Sequence, residues 1–249
     1  MTLLQALALA AAGLVAGTAS AMAGGASIIT FPVLLAMGVP PLAANVTNTV
    51  GLTPVAVGAA LGSAPELRRQ RRRLAALAPA ALIGAAGGTA LLLSTPGDTF
   101  GAIVPALIAG SCLLMLAQPW LVRHTLAGGG RRRRRRAVAQ ASTLLVGAYT
   151  GYFGAASGVM FMALVGLVSA ASLHELNAVK NMLVGAANAL ARVIFVLVAP
   201  VRWPMAAALA VGAVIGGAAG ALLARRIPAP YLRTAIALVG LAVAARLAL

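Results

Sequence analysis

Apolar residues run through this chain in long, nearly unbroken stretches at about 3–22, 40–61, 74–94, 100–122, 138–156, 174–199, 204–224 and 230–248. Each comes close to the roughly 20 residues a helix needs to cross about 30 Å of hydrocarbon. Lipid cannot hydrogen-bond an open backbone, so spans must be helices or a closed barrel. Long runs rich in Ala and Leu, without period-two alternation, predict helices. Two further apolar segments, about 26–37 and 159–170, are too short to span and predict half-helices or re-entrant pieces lining a protein-enclosed cavity. The pattern predicts an all-α membrane protein, a polytopic helical bundle.

The short segments belong to an internal repeat. "AGGASIITFPVLLAMGVPPLAANVTN" (23–48) and "ASGVMFMALVGLVSAASLHELNAVKN" (156–181) share one design: a small-residue break, a short apolar segment, then an Asn-rich start to a long span. Gly25 and Asn48 are 23 residues apart, as are Gly158 and Asn181. This predicts two homologous halves of about four spans each plus the short broken segments. The first repeat covers 1–126, an Arg-rich cytoplasmic linker 127–137, and the second repeat 138–249. If the short segments do not cross, the halves are parallel fours, the favoured count. If they cross, the halves form an inverted five plus five. Duplicated halves with Gly-interrupted short segments point to a secondary transporter whose substrate lies near the midplane.

Composition supports the membrane reading. Hydrophobic residues make up 61% of the 249 and charged residues 9%, with a mean hydropathy of +0.99. A net charge of +16 would suggest nucleic acid in a soluble chain, but eleven arginines fall in two clusters, 68–73 and 131–136, between spans. No aromatic residue is interleaved with them, so they are read as cytoplasmic orientation signals rather than nucleic-acid or lipid-headgroup sites. No Lys or Arg precedes the first apolar run, which is therefore read as a span and not a signal peptide. The single cysteine, Cys112, excludes an intramolecular disulfide and offers no metal-site spacing. Two histidines and three acids form no nucleophilic, metal or nucleotide motif, which disfavours an enzyme and a metal centre.

Polar residues inside spans carry the candidate chemistry. At about 100° per residue, Asn177, Asn181, Asn188 and Arg192 fall within about 60° of each other and predict a polar stripe facing a bundle interior or a watered cavity. Lys180, the only lysine, lies at the stripe's edge. Its counterpart in the first half is Thr47, beside Asn45 and Asn48, so the halves differ by one charge. That asymmetry suits a small anionic substrate between a neutral and a cationic wall, with Gly24, Gly25, Ser157 and Gly158 letting backbone N–H groups approach it. Isolated asparagines also hold helices together, the alternative for a non-transporting accessory or assembly protein. His174 and Glu175 read as a cap on the helix start, with proton or ion coupling as the alternative. Asn188 and Arg192 are candidates for coupling or for supporting the contact residues.

These segments, with "LHELNAVKNMLVGAANALARVIF" and "APVRWPMAAALAVGAVIGGAAGALLARRIP", resemble the TauE/SafE family of sulfite exporters over nearly the whole chain. The resemblance implies a multi-pass inner-membrane protein with two homologous halves. It also implies a secondary carrier without a tightly bound cofactor, moving sulfite, thiosulfate or organosulfonates.

Overall fold

In the computed structural model, the described residues are 1–22, 25–55, 70–125, 132–166, 173–223 and 229–248, and they form ten helices and no strand. The helices are α1 (Leu3–Met22), α2 (Ala26–Ala36), α3 (Pro41–Gly51), α4 (Arg71–Ser94) and α5 (Gly97–Thr125), then α6 (Arg132–Tyr152), α7 (Ser157–Gly166), α8 (Leu173–Val198), α9 (Trp203–Leu223) and α10 (Ala229–Ala248). Among the described residues, α1, α4, α5 and α8 contain stretches long and apolar enough to cross a membrane. Large apolar side chains stand exposed along the outer helices: Leu3, Leu7 and Val15 on α1, Ile83 and Leu91 on α4, Val211, Val214 and Ile215 on α9. Such a surface is costly in water and natural in hydrocarbon. The chain is a multi-pass all-α membrane protein.

Two helix pairs frame the bundle, each joining one helix from each half of the sequence. α1 packs on α9, and α6 packs on α4. Both contacts are built from glycines four residues apart, which let backbones approach closely. A Cβ on Gly13 would collide with the Leu209 carbonyl oxygen, and one on Gly17 with that of Ala213; in the second pair, Gly147 meets Ala81 and Gly151 meets Ala85. From the other side, Gly212 and Gly216 face the carbonyls of Ala10 and Leu14, as Gly84 and Gly88 face those of Leu144 and Ala148. The two pairs correspond contact for contact. Each also carries a hydroxyl across the seam: Thr18 Oγ1 donates to the Gly216 carbonyl at 3.0 Å and Thr89 Oγ1 to the Gly151 carbonyl at 3.3 Å.

These contacts fix directions. Residue numbers rise together in both pairs, so α1 runs parallel to α9 and α4 parallel to α6. The Arg71–Arg73 and Arg134–Arg136 runs therefore share one end of the bundle. Gln70 Nε2 donates to Glu175 Oε1 at 3.0 Å, which places the start of α8 at that basic end, and Arg73 lies within electrostatic reach of both Glu175 and Arg135. At the far end the chain turns back through residues 199–202. There α3 lies along α9, from Thr47 at Arg202 to Gly51 at Ala206 and Leu209. Thus α4, α6 and α8 run away from the basic end, while α1, α3 and α9 run towards it. Helices at corresponding places in the two series point in opposite directions. The favoured parallel fours are replaced by the inverted arrangement, because the short segments return the chain to the opposite end.

The core between the pairs is apolar and aromatic. Phe31 of α2 meets Phe153 edge to face, with ring centroids 5.4 Å apart, and Tyr149 lies beyond at 6.5 Å from Phe153. These rings join the short helix of one series to the break in the other.

Candidate functional site

Both short helices begin at a left-handed residue. Gly25, with φ +83°, precedes α2, and Ala156, with φ +56°, precedes α7; Gly154 also has a positive φ of +79°. An alanine in this region is strained by about 1–2 kcal/mol. Gly24 lies outside the described residues. In the second half the chain leaves helix at 153–156, so Ser157 and Gly158 open α7 rather than interrupt it. In that first turn the Ser157 N–H reaches the Gly154 carbonyl at 3.3 Å and the Val159 N–H the Ala156 carbonyl at 2.9 Å. The Gly158 N–H has no backbone acceptor among the described residues.

The first-half candidates are deeply buried, Asn45 at 2%, Thr47 at 0% and Asn48 at 1% exposure, and each is engaged by protein. Asn45 Nδ2 donates to the Tyr152 carbonyl at 3.0 Å, at the end of α6. Thr47 Oγ1 accepts the Arg202 backbone N–H at 3.0 Å, holding the turn between α8 and α9. The side-chain Oδ1 of Asn48 accepts the hydroxyl of Thr30, seated on α2. A buried amide must find its partners inside, and these three tie α3 to α2, α6 and the 199–202 turn.

The second-half candidates are placed differently. Lys180 is half-buried, and its stem lies over Gly158: a Cβ built there would be 3.2 Å from Cδ and 3.8 Å from Nζ. Among the described residues it makes no hydrogen bond or ion pair. Asn181, beside it, is half-buried and has a partner of its own. Asn177 is exposed and stands outside this junction. Asn188 Nδ2 bonds back to the Val184 carbonyl at 2.9 Å, and Arg192 Nε donates to the Thr49 carbonyl at 2.9 Å. Glu175 is held at the basic end by Gln70, five residues before the lysine on α8; His174 lies in α8, its side chain outside the described residues.

Lys180 and Asn48 therefore sit at different junctions, one where α8 crosses α7 and one where α3 crosses α2. The narrow cleft lined by Ala81, Thr143, Val146, Phe161, Leu183 and Ala187 contains none of the six contact candidates and is too tight for a water. Between Asn181 and Asn188, however, Gly185 faces open space, so the α8 stripe borders a gap rather than packed protein. Sequence reasoning missed Thr30, the partner of Asn48, and the Ser111–Tyr149 hydroxyl pair at 2.7 Å. Thr30 was visible as one of two hydroxyls, with Ser27, in a largely apolar short segment. No group of three or more His, Cys, Asp or Glu that could hold a metal exists among the described residues.

The family model for the sulfite exporter TauE/SafE matches residues 9–247. A protein of Sinorhizobium sp described as "Probable membrane transporter protein ORF9" is 30% identical over 244 residues, covering 95% of this chain and 89% of that relative. No solved structure matches the chain.

Proposed function

This chain belongs to the sulfite exporter TauE/SafE family, and from that premise we propose that it is a permease for small sulfur-containing anions, sulfite, thiosulfate or organosulfonates, working by alternating access. The observation that carries the reading is Lys180: a half-buried ammonium without an ion pair among the described residues, laid over the first turn of α7, whose Gly158 N–H has no backbone acceptor among them. Two positive features without an acid between them repel each other until an anion joins them. An ammonium adds point charge, and a helix start adds oriented N–H donors and the positive dipole end. Asn181 flanks the same place, and the gap at Gly185 offers a watered approach. A charged group facing lipid would be expensive, so the stripe is read as lining that approach.

The opposed directions of corresponding helices support alternating access, since each end of an inverted assembly can repeat the geometry of the other. The shared basic end of α4 and α6 belongs in the cytoplasm by the excess of arginine, in a cell inner membrane. The Asn residues of the first half fit helix glue, the alternative role, and in this proposal they hold the neutral wall. The test is sulfite flux into proteoliposomes with Lys180→Ala and Asn181→Ala. Both are expected to lose most of the flux while the purified variants melt with the wild type. Unchanged flux in both would overturn the assignment.

A further inference from the structure

Arg192 is the other cation buried among the spans, and the first contact site leaves it unexplained. It lies on α8 twelve residues past Lys180, about 18 Å further along at 1.5 Å per residue, towards the end opposite the arginine runs. Among the described residues only one of its five N–H donors is engaged: Nε donates to the Thr49 carbonyl in the last turn of α3. That bond suits a cation at a helix C-terminus, but it leaves both Nη groups without an acceptor among the described residues. Among the described residues no carboxylate serves them. Of the described acids, Glu175 is held by Gln70 at the other end of α8, and Asp98 is exposed in the first turn of α5. Nor is the guanidinium sealed in: Gln118 Oε1 is the sole fully buried side-chain polar atom without a partner among the described residues. Arg192 shares the face of α8 that carries Asn181 and Asn188, and Gly185 on that face meets open space.

A planar fork with its Nε anchored and its Nη pair free is built to take two oxygens of one anion. We propose that Arg192 is a second anion station, at which the free Nη groups hold an oxyanion bidentately on its way between the Lys180 junction and the end of the bundle away from the arginine runs. The inference rests on the anion-permease reading and extends it. It names an oxyanion as the class favoured there, because two oxygens give each arm of the fork its own acceptor, whereas a halide offers both arms a single atom. The anchor on Thr49 also ties the station to α3, which runs against α8, so occupancy is sensed at a seam between oppositely directed helices.

The test uses full-length protein in proteoliposomes, with sulfite supplied on the side away from Arg71–Arg73 and Arg134–Arg136. R192K keeps the charge at the end of α3 but has no fork; R192Q keeps a donor for the Thr49 carbonyl but no charge. Both are expected to raise the sulfite KM from that side about tenfold or more, with Vmax within about twofold of wild type. Chloride competition against sulfite is expected to be stronger in R192K than in wild type. Wild-type KM in either variant, or a loss confined to Vmax, would overturn the inference and leave Arg192 as a cap on α3. If Lys180→Ala loses flux while R192K keeps its KM, the permease reading stands and this station falls. If neither changes flux, both fall.

Discussion

The frame and the junctions of this molecule teach different things. Across the α1–α9 and α4–α6 pairs, every glycine contact in one has a counterpart in the other, down to the carbonyl it faces. At the junctions where α3 crosses α2 and α8 crosses α7, the same comparison fails. Thr47 is closed off, accepting the Arg202 N–H, whereas Lys180 lies unbonded over Gly158. Backbone approach tolerates no side chain, so the frame can be duplicated only by keeping glycine. The junctions are under no such steric rule, and there the two series diverge in charge.

The largest effect is expected from breaking the frame. Gly88→Val and Gly216→Val each force a branched side chain into a facing backbone carbonyl, with no flexible neighbour to yield. Each should destabilise by about 3 kcal/mol or more, read as a lower melting temperature in detergent, and the two losses should be similar. A mild loss in one alone would break the correspondence of the pairs. Next comes the neutral junction: Asn48→Ala removes the tie from α3 to Thr30, whose hydroxyl keeps only the Ala26 carbonyl of its own helix, and Thr47→Ala strands the Arg202 N–H. Each should cost about 1–2 kcal/mol in melting while leaving the sulfite KM within about twofold. A large rise in KM for Thr47→Ala would make that wall a direct contact. Smallest is Ala156→Gly, which relieves a left-handed alanine and should stabilise by about 1 kcal/mol or less. A destabilised glycine variant would contradict the match between Ala156 and Gly25.

Much of this could be read in one dimension. The spans follow from apolar run lengths, and Lys180 stands out as the only lysine, set opposite Thr47. The break of the first half is found at Gly25. In the second half the sequence points to Ser157–Gly158, but the turn is made at 153–156, because an alanine takes the left-handed position that composition would assign only to glycine. The direction of the halves was out of reach: whether a segment of 10 or 11 residues returns the chain depends on its packing, not on its length. The roles of Asn45 and Asn48 were likewise hidden. Their partners, Tyr152 and Thr30, lie 107 and 18 residues away, and a helical wheel shows only which way a side chain points, not what meets it. Asn177 shares a wheel sector with Asn181 yet is exposed, although Leu176, Ala178 and Val179 around it are buried.

The central claim is that Lys180, the charge the α7–α8 junction has and the α2–α3 junction lacks, is what binds the anion. Isothermal titration of sulfite into wild type and Lys180→Thr, which gives the α7–α8 junction the residue found at its counterpart, tests it most directly. The account predicts saturable binding to the wild type and none to the folded variant at the same concentrations. Equal binding by the two proteins would contradict it.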